Sequence, residues 1–283
     1  MSIRTDLAME LAETADCANR IKHTERGKAF KITEIILEDD KAGASIGKGK
    51  GKYITLETQA LSTLNDNYKE MVNEFAEELH GFVGERSSVL VVGLGNDDIT
   101  PDALGPCAAS RVMATRHLKK EIPGDEFMRG LRDVSVLLSG VLGTTGIESA
   151  EIVKAVVERT SPDMLIVIDA LACSDLSRLG KTIQISDAGI APGSGVENKR
   201  KELSQNTLGI PVVAIGVPTI VDVHTVVESI TGDEPDKNMP NMMVTPKNID
   251  SLINHASRLI ATGINLALQP SLDFEDAAEM AAG

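Results

Sequence analysis

The chain has 283 residues, 42% hydrophobic and 25% charged, which suffices for one large core, while the absence of Trp and the two Tyr and five Phe leave too little aromatic surface to stack single-stranded nucleic acid. A net charge of -14 repels a phosphate backbone and argues against direct nucleic-acid binding. No apolar run reaches the length of a membrane span or a signal peptide, and Cys17, Cys107 and Cys173 lack metal-ligand spacing, which reads as a reducing cytoplasm.

Along the chain, residues 1–28 are polar and read as a loosely held arm with a short helix. Strands are predicted at 29–38 (AFKITEIILE) and 52–57 (KYITLE), joined by DDKAGASIGKGKGK. That Gly/Lys-rich stretch matches no Walker pattern and reads as a solvated hairpin connection rather than an anion cradle. Residues 61–82 carry a helical stripe of Leu64, Met71, Phe75 and Leu79. Strands and helices then alternate: strand 87–95, helix 101–118, strand 134–140, helix 144–160, strand 163–172, strands 181–186 and 211–218, and helices 220–230 and 246–268. The last helix opens at Thr245-Pro246 with Pro as its first residue, and the tail DFEDAAEMAAG reads as frayed. Continuous apolar strands between helices predict an α/β fold: a single domain, with a mostly parallel sheet covered on both faces.

Ligands of open α/β sheets bind beyond the carboxyl ends of the strands, which directs attention to the turns after Gly95, Gly140, Asp169 and Gly216. The first turn, in VLVVGLGNDDITPDALGP (89–106), is acidic: Asn96, Asp97, Asp98 and then Asp102. A G-x-G-x-x-G fingerprint would need Gly at position 98, where Asp98 stands, so a dinucleotide site is excluded. Asp97 and Asp98 read as turn residues. Asp102 has two readings that the residues alone leave open. One is an acid in the first turn of a helix capped by Thr100-Pro101; the other is half of a carboxylate pair with Asp169. Asp169 ends the apolar run LIVI, where a carboxylate needs a partner or a purpose. Ser194 lacks a G-x-S-x-G elbow, and His117 and His224 are isolated. The loop 189–195, with Gly193, Ser194 and Gly195, offers backbone N–H groups to an oxyanion, and Lys199, Arg200 and Lys201 after it are either a solvated face or a hold on acidic substrate side chains.

Five stretches together, VVGLGNDDITPDALGP, SGVLGTTGIES, VIDALA, TIQISDAGIAPGSGVENKRKELSQNTLGIPVVAIGVPT and NMMVTPKNID, resemble the germination protease family of spore-forming bacteria over most of the chain. The resemblance implies the fold of the hydrogenase maturation peptidases and an endopeptidase that degrades small acid-soluble spore proteins at germination; the residues call for no cofactor and no metal ligands, and leave aspartic and metal-assisted catalysis both open. It implies a zymogen that shortens itself, a homotetramer, and a place in the cytoplasm of the spore core. The family's proposed catalytic aspartates fall on Asp102 of TPDALGP and Asp169 of VIDALA. Its cleavage motif, Thr-Glu-Phe/Ile-Ala, is matched by Thr5-Asp6-Leu7-Ala8, which implies self-cleavage between Asp6 and Leu7, a propeptide of residues 1–6 and a protease domain of 7–283. A pair of carboxylates sharing a proton makes that maturation pH-sensitive, favoured as the interior acidifies. Two departures from the family pattern stand out: the propeptide is short, and only TGDEPDKNMPNM occupies the place of a long insert before MVTP. Two rival readings share the fold. One is a metalloenzyme maturation peptidase, for which no histidine lies in the candidate turns; the other is a non-catalytic relative, although both aspartates are present.

Overall fold

Alternation along each strand decides which face it buries. In β4 (Ser88–Gly93), Val89 and Val91 face one layer of helices, while Leu90 and Val92 face the other. β6 (Met164–Cys173) repeats the pattern, with Met164, Ile166 and Ile168 on the first side and Leu165 and Val167 on the second. The computed structural model describes residues 5–14, 24–39, 41, 43, 47–63, 66–121, 126–191, 201–233, 236, 239–240 and 242–282.

The described strands form one nine-stranded sheet. Besides β4 and β6 it contains β1 (Thr24–Arg26), β2 (Lys31–Leu37), β3 (Gly51–Glu57), β5 (Asp133–Leu138), β7 (Thr182–Ser186), β8 (Val212–Asp222) and β9 (Met243–Val244), in the order β1-β2-β3-β7-β8-β6-β4-β5, with β9 on β8. Strands β8, β6, β4 and β5 are parallel to one another, as the alternating pattern predicts. On the other side of β8, β7, β3, β2 and β1 are added antiparallel, an orientation that periodicity alone does not set.

Helices cover both faces. α2 (Tyr68–Val83), α3 (Leu104–Ala109) and α6 (Ile249–Leu268) lie on one, α4 (Ser149–Thr160) on the other. α6 supplies thirteen buried residues, and its Gly263 lets it close on α2: a Cβ there would stand 2.3 Å from the Phe75 ring. Burial of a side chain the size of Phe75 stabilises the fold by about 1.5–3 kcal/mol.

Several predicted elements change at their ends. The helix expected over 101–118 becomes a 3₁₀ turn (Thr100–Asp102), the short α3, and an irregular segment. There the Thr115 and Arg116 N–H groups donate to the Val134 carbonyl and Met113 N–H donates to Asn265 Oδ1, so tertiary bonds replace helical ones. The helix expected over 144–160 starts at Ser149, after a single-turn helix (Leu142–Thr145) stopped by Gly146 at φ 71°. Helix 61–82 starts at Tyr68, because Thr58 and Leu61 donate to the Lys181 and Gly180 carbonyls; Leu64 lies outside the described residues. Strand 211–218 runs on to Asp222, whose carboxylate then caps α5 (Val223–Thr231). The last helix begins at Ile249 rather than at Pro246.

Two expectations of disorder are corrected. The tail forms α7 (Phe274–Met280), capped by Asp273 and fastened by Phe274 edge-on to Tyr68. The N-terminal arm, over its described residues 5–14, is packed rather than loose: Leu7 and Ala8 are fully buried, and α1 (Ala8–Thr14) lies against Ile35, Leu37 and Tyr53.

Candidate active site

Three glycines bring the first acidic turn onto the sheet. A Cβ at Gly93 would stand 2.3 Å from the Gly105 carbonyl oxygen, and one at Gly105 would stand 2.2 Å from that of Leu94 and 2.4 Å from that of Ile168. Gly95 has φ +115°, and a Cβ on it would meet the Asp102 carbonyl oxygen at 2.0 Å. The start of α3 therefore presses directly on the ends of β4 and β6. The Asp102 carboxylate, half-buried, accepts the Asn96 N–H at 2.7 Å and so closes its own turn. Thr100 makes no capping bond, and the segment is a 3₁₀ turn, so Asp102 is not the first-turn acid of a capped α-helix. Asn96 Oδ1 accepts the Asp98 N–H at 3.0 Å, the Asx turn expected there.

Asp169 lies inside β6, four residues before the strand ends at Cys173. It is 5% exposed and accepts the Ala170 N–H at 3.0 Å. Ile168 and Ala170 pack in the α2/α6 layer, so the Asp169 side chain projects to the opposite face. Beyond it, the β6–β8 pairing is irregular between Leu171 and Ala172, where Thr219 of β8 is passed over. Such a bulge re-aims a side chain. Thr219 Oγ donates to the Pro101 carbonyl at 2.7 Å and ties the Asp102 turn to the sheet; that turn touches both β6 and β8. Asp102 and Asp169 thus stand at the same end of the sheet. Gly216, expected at a turn, lies instead within β8, where its missing side chain makes room for Leu171.

The N-terminal segment enters the same region. Asp6 N–H donates to the Ala172 carbonyl at 2.9 Å, and the Asp6 carboxylate accepts the Ala172 N–H at 2.9 Å. Leu7 is buried among Leu171, Cys173 and Val221. Lys48 Nζ donates to the Asp6 carbonyl at 2.9 Å, and so does Gln184 Nε2 at 3.3 Å, while Gln184 Oε1 accepts the Ala8 N–H at 2.8 Å. Burial pushes the Lys48 ammonium below its ordinary value, and the Asp6 and Glu10 carboxylates pull it back. A cavity of about 280 Å³ adjoins these groups, lined in part by Asp6, Lys48, Tyr53, Leu171, Gln184 and Gly216.

Glu10 holds α1 in place. Its carboxylate is 3% exposed and accepts Ser174 N–H at 2.7 Å, Ser174 Oγ–H at 2.6 Å and Asp175 N–H at 3.1 Å. Arg178 joins the same anchor by a two-pronged pair with Glu13 at 2.7 and 2.9 Å. Burial works against the Arg178 charge, but Glu13, Glu10 and Glu57 outweigh it and hold the guanidinium above its usual value.

Lys48, Gln184 and Glu10 are the site residues that sequence reasoning missed. The GKGKGK stretch reads as solvated, yet Lys48 is half-buried and turned inward. The one available signal was a polar Gln184 between Ile183 and Ile185 in a strand that is buried along its whole length. Gly193, Ser194 and Gly195, with Lys199 and Arg200, lie outside the described residues; Lys201 pairs with Glu151 at the surface. Among the described residues no group of three or more His, Cys, Asp or Glu side chains could hold a metal ion, and no helix is long and apolar enough to cross a membrane.

Comparison with known proteins adds a family. The profile described as Germination protease matches residues 5–233. The germination protease of Clostridium tetani (strain Massachusetts / E88) is 42% identical, covering 98% of this chain and 98% of that one. That of Clostridium acetobutylicum is 39% identical, over 97% and 98%. That of Geobacillus sp. (strain WCH70) is 36% identical, over 97% and 96%. The Clostridium tetani alignment spans 319 positions, more than the 283 residues present here, so the relative carries inserted residues. Among solved structures, a [NiFe] hydrogenase maturation protease, HycI, from Thermococcus kodakarensis KOD1 aligns with 66% of this chain and 98% of its own, at 20% identity and a TM-score of 0.39.

Proposed function

This chain belongs to the germination protease family and is accordingly a peptide-bond hydrolase, and we propose that it is the endopeptidase that opens small acid-soluble spore proteins to degradation, made as a zymogen that cuts its own Asp6–Leu7 bond. The observation that carries this reading is the docking of Thr5–Leu7 against the end of β6. The acid before the bond is held at both its N–H and its carboxylate by Ala172, and the apolar residue after the bond is buried. A substrate acid before the cut bond meets the same Ala172 N–H and carbonyl once residues 1–6 have left.

In this reading Asp102 and Asp169 supply the chemistry. One carboxylate takes a proton from water as it adds to the peptide carbonyl; the other, protonated, polarises that carbonyl. The homotetramer and the spore-core location are part of the same proposal and rest on family membership alone.

The test is the intact mass of the full-length protein, followed over time at mildly acidic pH beside Asp102→Asn and Asp169→Asn. Loss of Met1–Asp6 in the wild type alone supports self-processing by the pair. Equal loss in all three points to a contaminating protease and removes the pair from the reaction.

A further inference from the structure

We propose that Lys48 and Gln184 form the oxyanion clamp of the self-cleavage step, an inference that rests on the self-processing reading above. Both groups touch the atom that would carry the charge. The Asp6 carbonyl oxygen receives Lys48 Nζ–H at 2.9 Å and Gln184 Nε2–H at 3.3 Å. The other end of the Gln184 amide accepts Ala8 N–H at 2.8 Å, so a single side chain bridges the Asp6–Leu7 bond from both sides and holds it extended. Leu7 N–H donates to Thr5 Oγ at 3.0 Å, and Thr5 and Leu7 are both buried, which keeps bulk water from the bond.

The clamp is held by its surroundings. Lys48 N–H donates to the Gly43 carbonyl at 2.9 Å, and Tyr53 Oη donates to the Gly49 carbonyl at 2.7 Å, so the loop carrying Lys48 is fixed on either side of that residue. Gln184, Gly216 and Asp169 stand in register on the adjacent strands β7, β8 and β6. Ile183 and Ile185 face the α2/α6 layer, so Gln184 points to the same face as Asp169. At about 4.8 Å between strands, the two backbones are about 10 Å apart, with glycine between them. A peptide lying over Gly216 reaches the clamp on one side and the aspartate on the other.

The step balances as follows. The water oxygen bonds to the Asp6 carbonyl carbon while a carboxylate of the pair takes one of its protons, and the carbonyl π electrons move onto oxygen. That oxygen, now negative, lies against an ammonium and an amide N–H. Collapse restores the carbonyl and breaks the C–N bond, and the Leu7 nitrogen receives the proton held by the carboxylate. Donors already aimed at the developing charge need no reorganisation, and loss of one such donor typically costs about 10²–10³-fold in rate.

The experiment follows loss of Met1–Asp6 by intact mass in full-length wild type, Lys48→Met, Lys48→Arg, Gln184→Ala, and Lys48→Ala with and without propylammonium. Thermal unfolding of each variant checks that it is folded. Docking of the segment is read separately, by hydrogen exchange at Ala8 in the Asp169→Asn background, with and without Lys48→Met. The expected result is cleavage slowed about 100-fold or more in Lys48→Met, partly kept in Lys48→Arg and partly restored to Lys48→Ala by propylammonium, with Ala8 still protected. Cleavage of Lys48→Met within about threefold of wild type overturns the clamp. So does loss of Ala8 protection in parallel with loss of cleavage, which makes Lys48 an anchor only. If the wild type itself never loses Met1–Asp6, the self-processing reading fails first and the clamp falls with it.

Discussion

The parallel half of the sheet and the antiparallel half contribute to the same region by different routes. In β8-β6-β4-β5, the two aspartates proposed to carry the chemistry sit on the strand-turn-helix units that present them: Asp102 lies nine residues beyond the end of β4, and Asp169 within β6. In β1-β2-β3-β7, the contributors come from remote parts of the chain. Lys48 is 42 residues from Asp6 and Gln184 is 178. Carboxylates thus come from local units and hydrogen-bond donors from long-range contacts. A family can keep the first while the second is assembled only by the complete fold.

The largest effect expected on this comparison comes from the local half. If the proposed pair acts, Asp169→Asn or Asp102→Asn lowers the self-cleavage rate by about 10²–10⁴-fold with little change in unfolding temperature, because each would lose a proton-transferring group without losing volume. A large fall in melting temperature beside the rate loss would assign these aspartates to folding instead. Next comes the packing beneath them. Gly263→Ala drives a methyl into Phe75 and costs about 1–3 kcal/mol, read as a shift in urea midpoint with unchanged slope. A neutral result would show that the α2–α6 contact is looser than 2.3 Å implies.

Sequence reading reached the local half because its signals are local. Apolar runs of β4 and β6, glycines where the chain must turn or touch, and an acid at the end of LIVI all lie within a few residues of one another. It failed where tertiary bonds outbid local preference. The 101–118 helix is broken by bonds to Val134 and Asn265, and the polar N-terminus is held by Glu10 reaching Ser174 and Asp175. A carboxylate with three donors is indistinguishable in sequence from a solvated one. A lysine in GKGKGK advertises only solubility, while loop 193–195, read as a source of backbone N–H groups, lies outside the described residues.

The remote half has its own tests. Glu10→Gln keeps the shape but gives up charge-assisted bonds worth about 1.5–3 kcal/mol each when made to an ion. Its effect should be confined to α1, with faster proteolysis near residues 8–14 and a nearly unchanged global melt. A global loss of the same size would mean that α1 and the sheet unfold as one unit. Lys48 gives a pH signature. Burial, opposed by Asp6 and Glu10, sets its folded-state value below the ordinary 10.5, so the folded protein sheds this proton before the unfolded chain does. Cleavage that needs the ammonium is complete below the folded value and falls as pH rises through it, short of 10.5. Tyr53 and Glu202 line the same cavity, and burial raises the Tyr53 hydroxyl above its ordinary value, which keeps it protonated in that range. In Lys48→Arg the alkaline fall should vanish, since a guanidinium keeps its charge.

The smallest effect belongs to the end of the parallel half farthest from the site. Asp163 Oδ2 accepts the N–H and Oγ–H of both Ser87 and Ser88, four donors between 2.9 and 3.1 Å, and so joins the start of β6 to the start of β4. These bonds, led by the Ser88 backbone N–H, hold the carboxyl below its usual range. A depressed folded-state value means stability that is present above the unfolded value near 3.9 and lost as pH falls through the folded one. The side chain is exposed, so solvent screens most of the gain, and Asp163→Asn should cost about 1 kcal/mol or less at pH 7. Below the folded value, wild type and variant should converge in urea midpoint, because the wild type has then given up the same charge. Self-cleavage should not change at any pH where both are folded, since Asp163 lies at the opposite end of β6 from Ala172, where Asp6 is bound. A rate change in Asp163→Asn would mean that strain at the start of β6 is felt along its whole length, and the separation of the two halves would have to be abandoned.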